Sequence, residues 1–174
     1  MVIALVSIVI TSVKVGISPM PSTSKACHAM ISFPELSNEG GPIFELGSGW
    51  GTLSYAFSKK FPHRKIMAYE LSWIPFLFSV ILKTLCRLDN LSIYHSDFLK
   101  ADLSKATVLV CYLFPNGMLA LKNKLDREDL KINFIVSNTF ALPDSQPKKV
   151  IQLNDFYLTP IYLYSFNTGD TIPN

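Results

Sequence analysis

Short apolar runs alternate with amphipathic stretches along most of this chain, which is the pattern of strands interleaved with helices. The apolar runs predict strands at residues 43–46, 65–71, 91–97, 107–113 and 132–138. Helical periodicity between them predicts helices at residues 24–33, 52–60, 75–87 and 116–125. Near-continuous apolar strands are typical of a parallel sheet that is covered on both faces. At 174 residues the chain is long enough for one such domain, so we predict an α/β fold with three α/β/α layers.

The C-terminal part of the chain departs from this alternation. The segment after the fifth strand, up to about residue 148, is too short for the dozen or more residues that a parallel crossover needs. The last two strands, near residues 150–153 and 161–166, should therefore include antiparallel pairing at one edge of an otherwise mostly parallel sheet.

The predicted helix at residues 75–87 is apolar nearly all round, with Phe76, Phe78, Val80, Ile81 and Leu82. Such a helix is usually packed deeply in a core. Contact with a membrane is the alternative, and we expect core packing.

The first predicted strand leads into a loop with three glycines at alternate positions, Gly47, Gly49 and Gly51. Glycine lacks a Cβ atom, so such a turn can be tight and a ligand can approach its backbone. The unpaired N–H groups at the start of the following helix face that ligand. Nucleotide-like cofactors bind in such turns, after the first strand of an α/β sheet.

The loop differs from the dinucleotide fingerprint G-x-G-x-x-G. Its third glycine comes one residue early, at Gly51, and Thr52 stands where the fingerprint has glycine. Glu45 precedes the loop, and a carboxylate there would repel a diphosphate. Glu45 fits better beside a ligand that carries positive charge.

Two more acidic residues stand at the ends of strands. Glu70 ends the second strand and Asp97 ends the third. The carboxyl ends of parallel strands share one edge, where ligands bind, so we expect both near Glu45. An ionised carboxylate only accepts hydrogen bonds, so Glu70 can accept them from both hydroxyls of a ribose.

This arrangement resembles the class I S-adenosylmethionine-dependent methyltransferases, in which an E/D-x-G-x-G-x-G loop wraps the methionine part of the cofactor. The resemblance implies that Glu70 holds the ribose, that Asp97 lies near the adenine amine and that Phe98 lies beside the adenine. The acidic residues suit this cofactor, because it brings an ammonium and a sulfonium but no phosphate. The implied cofactor-binding residues are Glu45, Gly47, Ser48, Gly49, Trp50, Gly51, Glu70, Leu71, Asp97 and Phe98.

Two segments resemble a narrower group, the membrane-associated protein-lysine methyltransferases related to the mitochondrial enzyme that acts on the ATP synthase c subunit. Residues 17–23 resemble its P-x-x-P-[ST] segment, and residues 69–75 resemble its Y/I-E-L-x-P pattern. The similarity covers about residues 17–166 and implies a lysine acceptor on a protein, including a protein at a membrane. Many relatives have an acidic residue at the position of Trp50. The loop contacts that this acidic residue makes in the relatives cannot be assumed for this chain.

The end of the fourth strand occupies the position of the family segment that lines the methyl-acceptor pocket. Methyl transfer from a sulfonium mainly requires alignment of the nucleophile. Tyr112 and Asn116 would orient an amine through their lone pairs, while Phe114 and Pro115 would wall it. A role for Tyr112 and Phe114 in the core or wall alone is the alternative. Asn138 and Thr139 end the fifth strand and either face the acceptor or form a plain turn.

The composition of the chain indicates which partners, compartment and metal sites to expect. The net charge is +3 without a lysine or arginine run, which does not favour a nucleic-acid partner. The three cysteines show no pairing or metal spacing and indicate reduced thiols in a cytosolic compartment. The histidines are scattered too, so we predict no metal site.

Residues 1–18 form an apolar segment ahead of the predicted domain, which spans residues 19–174. Its uncharged part is shorter than the roughly 20 residues of a membrane-spanning helix, and it lacks the features of a secretory signal. A short membrane anchor, a truncated anchor and an apolar helix packed on the domain all remain open. We favour membrane association, with a cytoplasmic domain held at the inner face of the cell membrane.

The sequence thus predicts a methyltransferase that uses S-adenosylmethionine and methylates a lysine side chain of a protein. Two alternatives stay open: an NAD(P)-dependent oxidoreductase of the same fold class, and a non-catalytic membrane-associated binding domain. The sequence does not predict the oligomeric state.

Overall fold

A computed structural model describes residues 21–166. The predicted apolar segment at residues 1–18 lies outside the described residues. Five helices are present in the described range: α1 (Ser24–Ile31), α2 (Pro34–Asn38), α3 (Thr52–Lys60), α4 (Trp73–Leu85) and α5 (Pro115–Arg127). The seven strands of that range are β1 (Ile43–Leu46), β2 (Ile66–Glu70), β3 (Leu91–His95), β4 (Val108–Cys111), β5 (Phe134–Asn138), β6 (Lys149–Gln152) and β7 (Pro160–Ser165).

The strands form one sheet in the order β3-β2-β1-β4-β5-β7-β6. The first five strands of this order run parallel, β7 is antiparallel to β5, and β6 is antiparallel to β7. This confirms the predicted mostly parallel sheet with an antiparallel C-terminal edge. The chain reverses its direction of strand addition at β1, which lies between β2 and β4. Ligands of open α/β sheets bind at such a switch point, outside the carboxyl ends of the strands.

Each face of the sheet has its own hydrophobic core. On one face Ile43 and Val108 pack with Met30 of α1 and Phe57 of α3. On the other face Phe44 packs in a cluster that includes Met118 and Leu121 of α5. All four residues of β1 are buried, because both faces of a central parallel strand are covered. The predicted three layers are therefore confirmed.

The predicted helix at residues 75–87 corresponds to α4, and the prediction that it is deeply packed was wrong. Pro75 and Ser79 are the buried residues of α4, whereas Leu77, Ile81 and Leu85 are more than half exposed. The helix packs against β3 and β2, and β3 is the edge strand. The sheet therefore offers apolar contacts to only one side of α4. Within the described part of the chain, no helix combines the length and the apolar character needed to cross a bilayer.

Smaller differences concern the ends of elements. The short helix α2 was not predicted; it begins at Pro34, whose fixed φ and missing N–H suit a first helical position. Strand β3 ends at His95, so Asp97 lies two residues beyond the strand, in the turn that follows it. The three cysteines are unpaired, and Cys27 and Cys111 are buried.

Candidate functional site

A cavity of about 340 Å³ opens at the carboxyl ends of the parallel strands. It collects residues from the loop after β1, from the segments after β2, β3 and β4, and from the chain that enters α1. Most of the predicted site residues line this cavity; those that do not are Trp50, Gly51, Pro115, Asn138 and Thr139. The lining residues are Ser22, Glu45, Gly47, Ser48, Gly49, Thr52, Leu53, Tyr69, Glu70, Leu71, Ser72, Ser96, Asp97, Phe98, Leu99, Tyr112, Leu113, Phe114, Asn116, Gly117 and Ala120.

The glycine loop needs its glycines because each has a left-handed backbone. Gly47, Gly49 and Gly51 have φ values of +71°, +53° and +77°, where a side chain with a Cβ atom is strained. The amides of Gly47 and Ser48 both donate to the carbonyl of Tyr69, at 3.0 and 2.9 Å. The alternating pattern in the sequence thus reflects three left-handed turns that hold the loop against β2.

Gly51 has a structural role outside the cavity. It is the N-cap of α3, and a Cβ atom placed on it would lie 2.8 Å from Ser79 Oγ. Ser79 belongs to α4, and its hydroxyl lies 3.0 Å from the carbonyl oxygen of Gly49 and 2.9 Å from that of Pro75. Sequence reasoning missed Ser79, which carries no motif. The ring of Trp50, also outside the cavity lining, packs edge to face on Phe78 with centroids 5.5 Å apart.

Glu70 connects the glycine loop to the segment after β2. One carboxylate oxygen accepts the N–H of Gly49 at 2.7 Å, and the other accepts the N–H of Ser72 at 2.6 Å. The side chain is 7% exposed. A carboxylate has about four acceptor positions, so Glu70 can hold these two amides and still accept bonds from a ligand. The sequence indicated the second role but gave no sign of the first.

Glu45 is more deeply buried than Glu70, with 2% of the residue exposed. The hydroxyl of Ser54 donates a hydrogen bond to its carboxylate. Burial raises the pKa of Glu45 to about 8, and the charge of Glu70 adds to the rise, while the bond from Ser54 opposes it. Without a ligand, Glu45 therefore holds a proton near neutral pH.

These groups fit a cationic ligand. No salt bridge reaches Glu45 or Glu70 within residues 21–166, although both face the cavity. The hydroxyl of Ser48 is buried and lacks a hydrogen-bond partner there. The cost of burying an ionised carboxylate is offset when an opposite charge lies close to it. An ammonium-bearing ligand with hydroxyl groups, such as S-adenosylmethionine, would supply both the charge and the missing partners.

Asp97 and Phe98 line the same cavity. One oxygen of Asp97 accepts the N–H of Leu99 at 2.9 Å, so this residue also shapes its own turn. Leu71 is fixed by a contact that sequence reasoning missed: Nε2 of His95 lies 2.8 Å from the Leu71 carbonyl oxygen. The His95 ring stacks on Trp73 with centroids 3.8 Å apart.

The part of the cavity that the segment after β4 forms is aromatic and neutral. Tyr112, Phe114 and Asn116 line it, as the sequence predicts. Phe140 stacks on Tyr112 and tilts against Phe114, with ring centroids 6.4 and 5.1 Å apart. Ser22 also lines the cavity. It belongs to the P-x-x-P-[ST] segment, and that motif was the only sequence signal for it.

The model of a family described as the ANTKMT methyltransferase domain matches residues 45–149. The match begins at Glu45, so it includes the glycine loop, Glu70, Asp97 and the acceptor-side segment after β4. It spans more than half of the chain.

Individual proteins give the same picture. The chain is 26% identical over 152 residues to a protein-lysine N-methyltransferase of Saccharolobus islandicus (strain REY15A), covering 83% of this chain and 91% of that protein. It is 35% identical to ribosomal RNA small subunit methyltransferase A of Staphylococcus haemolyticus (strain JCSC1435), but over only 45% of this chain and 25% of that protein.

Among solved structures, an RNA methyltransferase from Salinibacter ruber in complex with S-adenosyl-L-homocysteine is similar in fold. Its TM-score is 0.70 at 18% identity, and the alignment covers 87% of this chain and 97% of that chain. The methyltransferase yhhF from Escherichia coli gives a TM-score of 0.68 at 11% identity, over 84% and 87% of the two chains. At such identities these structures bear on the fold alone.

Proposed function

The chain belongs to the ANTKMT methyltransferase family and is a class I S-adenosylmethionine-dependent methyltransferase, and from that premise we propose that it methylates the side-chain amine of a lysine in a protein. Similarity to a protein-lysine N-methyltransferase along most of both chains supports this choice of acceptor.

The observation that carries the proposal is the composition of the single cavity described above. One part of it has the glycine loop with the buried carboxyls of Glu45 and Glu70, and the other has the neutral polar groups of Tyr112 and Asn116. In this proposal the donor site and the acceptor site share one cavity. Fold alone would support many acceptors, so the acceptor assignment depends on these side chains and on the relative.

The cofactor, when bound, supplies a methyl group on a sulfonium that is already activated for displacement. We propose that Glu45, Glu70 and the Ser48 hydroxyl, which lacks a partner within the described residues, hold it, with Asp97 and Phe98 at its adenine. The chain then has to orient a neutral lysine amine and exclude water. Tyr112 and Asn116 would offer hydrogen-bond acceptors to its N–H groups. Phe114 would lower the local polarity, which favours the uncharged form of the amine.

An RNA acceptor is the main rival, because ribosomal RNA methyltransferases share part of the sequence. The described residues that line the cavity include no lysine or arginine, whereas RNA-binding surfaces depend on such side chains to contact phosphates. The chemistry of the cavity therefore favours a protein acceptor over RNA.

The test is to incubate the purified full chain with methyl-labelled S-adenosylmethionine and a cell extract divided into membrane, soluble-protein and RNA fractions. We expect label in a protein fraction that protease removes and ribonuclease leaves. Glu70→Gln should abolish most labelling, and Asp89→Asn, an exposed site away from the cavity, should retain it. Label that only ribonuclease removes would contradict a protein acceptor. A chain that labels no fraction would support a non-catalytic binding domain.

The membrane fraction has a separate purpose in this experiment. The predicted membrane association through residues 1–18 remains a prediction. Label concentrated in membrane proteins would support an acceptor at a membrane, and label spread over soluble proteins would contradict it.

A further inference from the structure

Ser22 and Asn138, which are distant in the sequence, meet at the end of β5, the strand that pairs with β4. The amide nitrogen of Asn138 lies 3.4 Å from the hydroxyl oxygen of Ser22, across 116 residues of chain. Ser22 lines the cavity, whereas Asn138 is 2% exposed and ends β5. A buried amide is costly unless its groups are hydrogen-bonded, so this contact ties the segment before α1 to the sheet.

The turn that presents Asn138 has an unusual backbone. Thr139 has a φ of +68°, which is an outlier for a β-branched residue. Its N–H donates to the carbonyl of Pro160 at 2.9 Å, and its hydroxyl donates to the Asn138 side-chain oxygen at 3.1 Å. Strained backbone of this kind persists only where the surroundings hold it, and it concentrates at functional sites.

The position of Ser22 is also fixed from its own side. Thr23 is the N-cap of α1, and its hydroxyl oxygen accepts the N–H of Ala26 at 3.2 Å. The Cys27 thiol lies 3.9 Å from the Ser22 carbonyl oxygen. The Ser22 hydroxyl is thus held between the start of a helix and the end of a strand.

We propose that Ser22 is an acceptor-binding residue and that Asn138 is a positioning residue that acts through it; this rests on the proposed function. A serine oxygen has two lone pairs, and the Asn138 amide occupies one of them. The other accepts an N–H of the lysine amine. The lone pair of that amine must face the methyl group, so its N–H bonds must point to acceptors elsewhere. A neutral lysine amine has two N–H groups: Ser22 accepts one of them, and Tyr112 and Asn116, which line the same cavity, together face the other.

The test measures methyl transfer to synthetic peptides that each contain one lysine, using the full chain with saturating S-adenosylmethionine. Ser22→Ala should lower kcat/KM for the peptide about fivefold to tenfold, the effect of one lost hydrogen bond. Cofactor affinity, measured by calorimetry, should stay within about twofold because Ser22 does not hold the cofactor in this proposal. Ser22→Thr keeps the hydroxyl and should recover most of the loss. Ser32→Ala, an exposed serine at the other end of α1, is the control and should match the wild type.

The role of Asn138 is tested by a double-mutant cycle. Asn138→Ala should lower kcat/KM in the wild type but cause no further loss in Ser22→Ala. If the losses in Ser22→Ala and Asn138→Ala add up in the double variant, the two residues are not coupled and the role of Asn138 is overturned. If Ser22→Ala alone leaves kcat/KM unchanged, the proposal is overturned without any Asn138 variant. Transfer to lysine by the wild type separates these outcomes from failure of the proposed function, in which no variant, including the wild type, would methylate any peptide.

Discussion

The carboxylate of Glu70 accepts the N–H of Gly49 at 2.7 Å, a bond that joins the ends of β2 and β1 across 21 residues. The same carboxylate accepts the N–H of Ser72 at 2.6 Å. One acidic side chain therefore orders both backbone segments that flank the donor half of the cavity. Hydrogen bonds to a charged acceptor are stronger than neutral ones, so the loop is held in place before any ligand binds.

Replacing Glu70 should weaken cofactor binding. Glu70→Gln leaves one acceptor oxygen and turns an NH₂ group toward one of the two backbone donors. Hydrogen bonds to charged groups contribute about 1.5–3 kcal/mol, so calorimetry should show a Kd for S-adenosylmethionine raised by about tenfold to a hundredfold. Asp89→Asn removes an exposed carboxylate elsewhere and should leave the Kd unchanged. Wild-type affinity in Glu70→Gln would contradict this role.

Gly51 and Gly40 differ in both backbone and surroundings, because of the two only Gly51 has a left-handed φ. In Gly51→Ala the new Cβ atom meets Ser79 Oγ at 2.8 Å and the backbone stays at a φ of +77°. The left-handed conformation alone costs about 1–2 kcal/mol for a residue with a Cβ atom, so urea unfolding should show at least that loss. Gly40 has nothing within 4 Å of an added Cβ atom, and Gly40→Ala should leave the free energy of unfolding nearly unchanged. Equal effects in both variants would contradict the packing described for Gly51.

The stability of the ligand-free protein should depend on the ionisation of Glu45. Its pKa is about 8 in the folded chain against an ordinary value of 4.5. Between these values the folded protein holds a proton that the unfolded chain has lost. The contribution of Glu45 to the free energy of unfolding is thus fully present below about pH 4.5 and is lost as pH rises toward 8.

Glu45→Gln isolates this effect, because the buried thiols of Cys27 and Cys111, whose pKa values are also raised by burial, are present in both proteins. Urea unfolding at pH 6 and pH 8.5 should show that the wild type loses more stability than Glu45→Gln as the pH rises. Saturating S-adenosylmethionine should reduce the difference, since a nearby cation favours the ionised carboxylate. Parallel pH profiles of the two ligand-free proteins would show that Glu45 is ionised throughout.

Tyr112 is expected to act on the acceptor and not on the cofactor. Tyr112→Phe keeps the ring that stacks on Phe140 but removes the hydroxyl. It should lower kcat/KM for a lysine peptide by about fivefold, the value of one hydrogen bond, with an unchanged Kd for S-adenosylmethionine. Tyr55→Phe, an exposed tyrosine of α3 that does not line the cavity, is the control. A purely structural wall role for Tyr112 predicts full activity in Tyr112→Phe.

The sequence was most informative where local pattern determines structure. The carboxyl ends of parallel strands share an edge of the sheet, so the sheet and the position of Glu45, Glu70 and Asp97 around one cavity could be predicted from spacing. Three glycines in one loop indicated a tight turn, but not the left-handed backbone of each one. The antiparallel edge followed from a connector too short for a helical crossover.

The features that the sequence did not predict depend on contacts between residues that are distant in the chain. The periodicity of α4 shows that it is apolar but not which element covers it, and the edge position of β3 leaves Leu77 and Ile81 exposed. The raised pKa of Glu45 comes from burial, which spacing does not measure. The contact between Ser22 and Asn138 spans most of the domain, and neither residue carries a motif that names the other.

The most direct test of the lysine assignment is to locate the transferred methyl group by tandem mass spectrometry of the labelled acceptor. The account predicts a mass increase on the Nζ of a lysine side chain, present with the wild type and strongly reduced with Glu70→Gln. A methyl group found on a nucleobase, or on any protein atom other than a lysine Nζ, would contradict it.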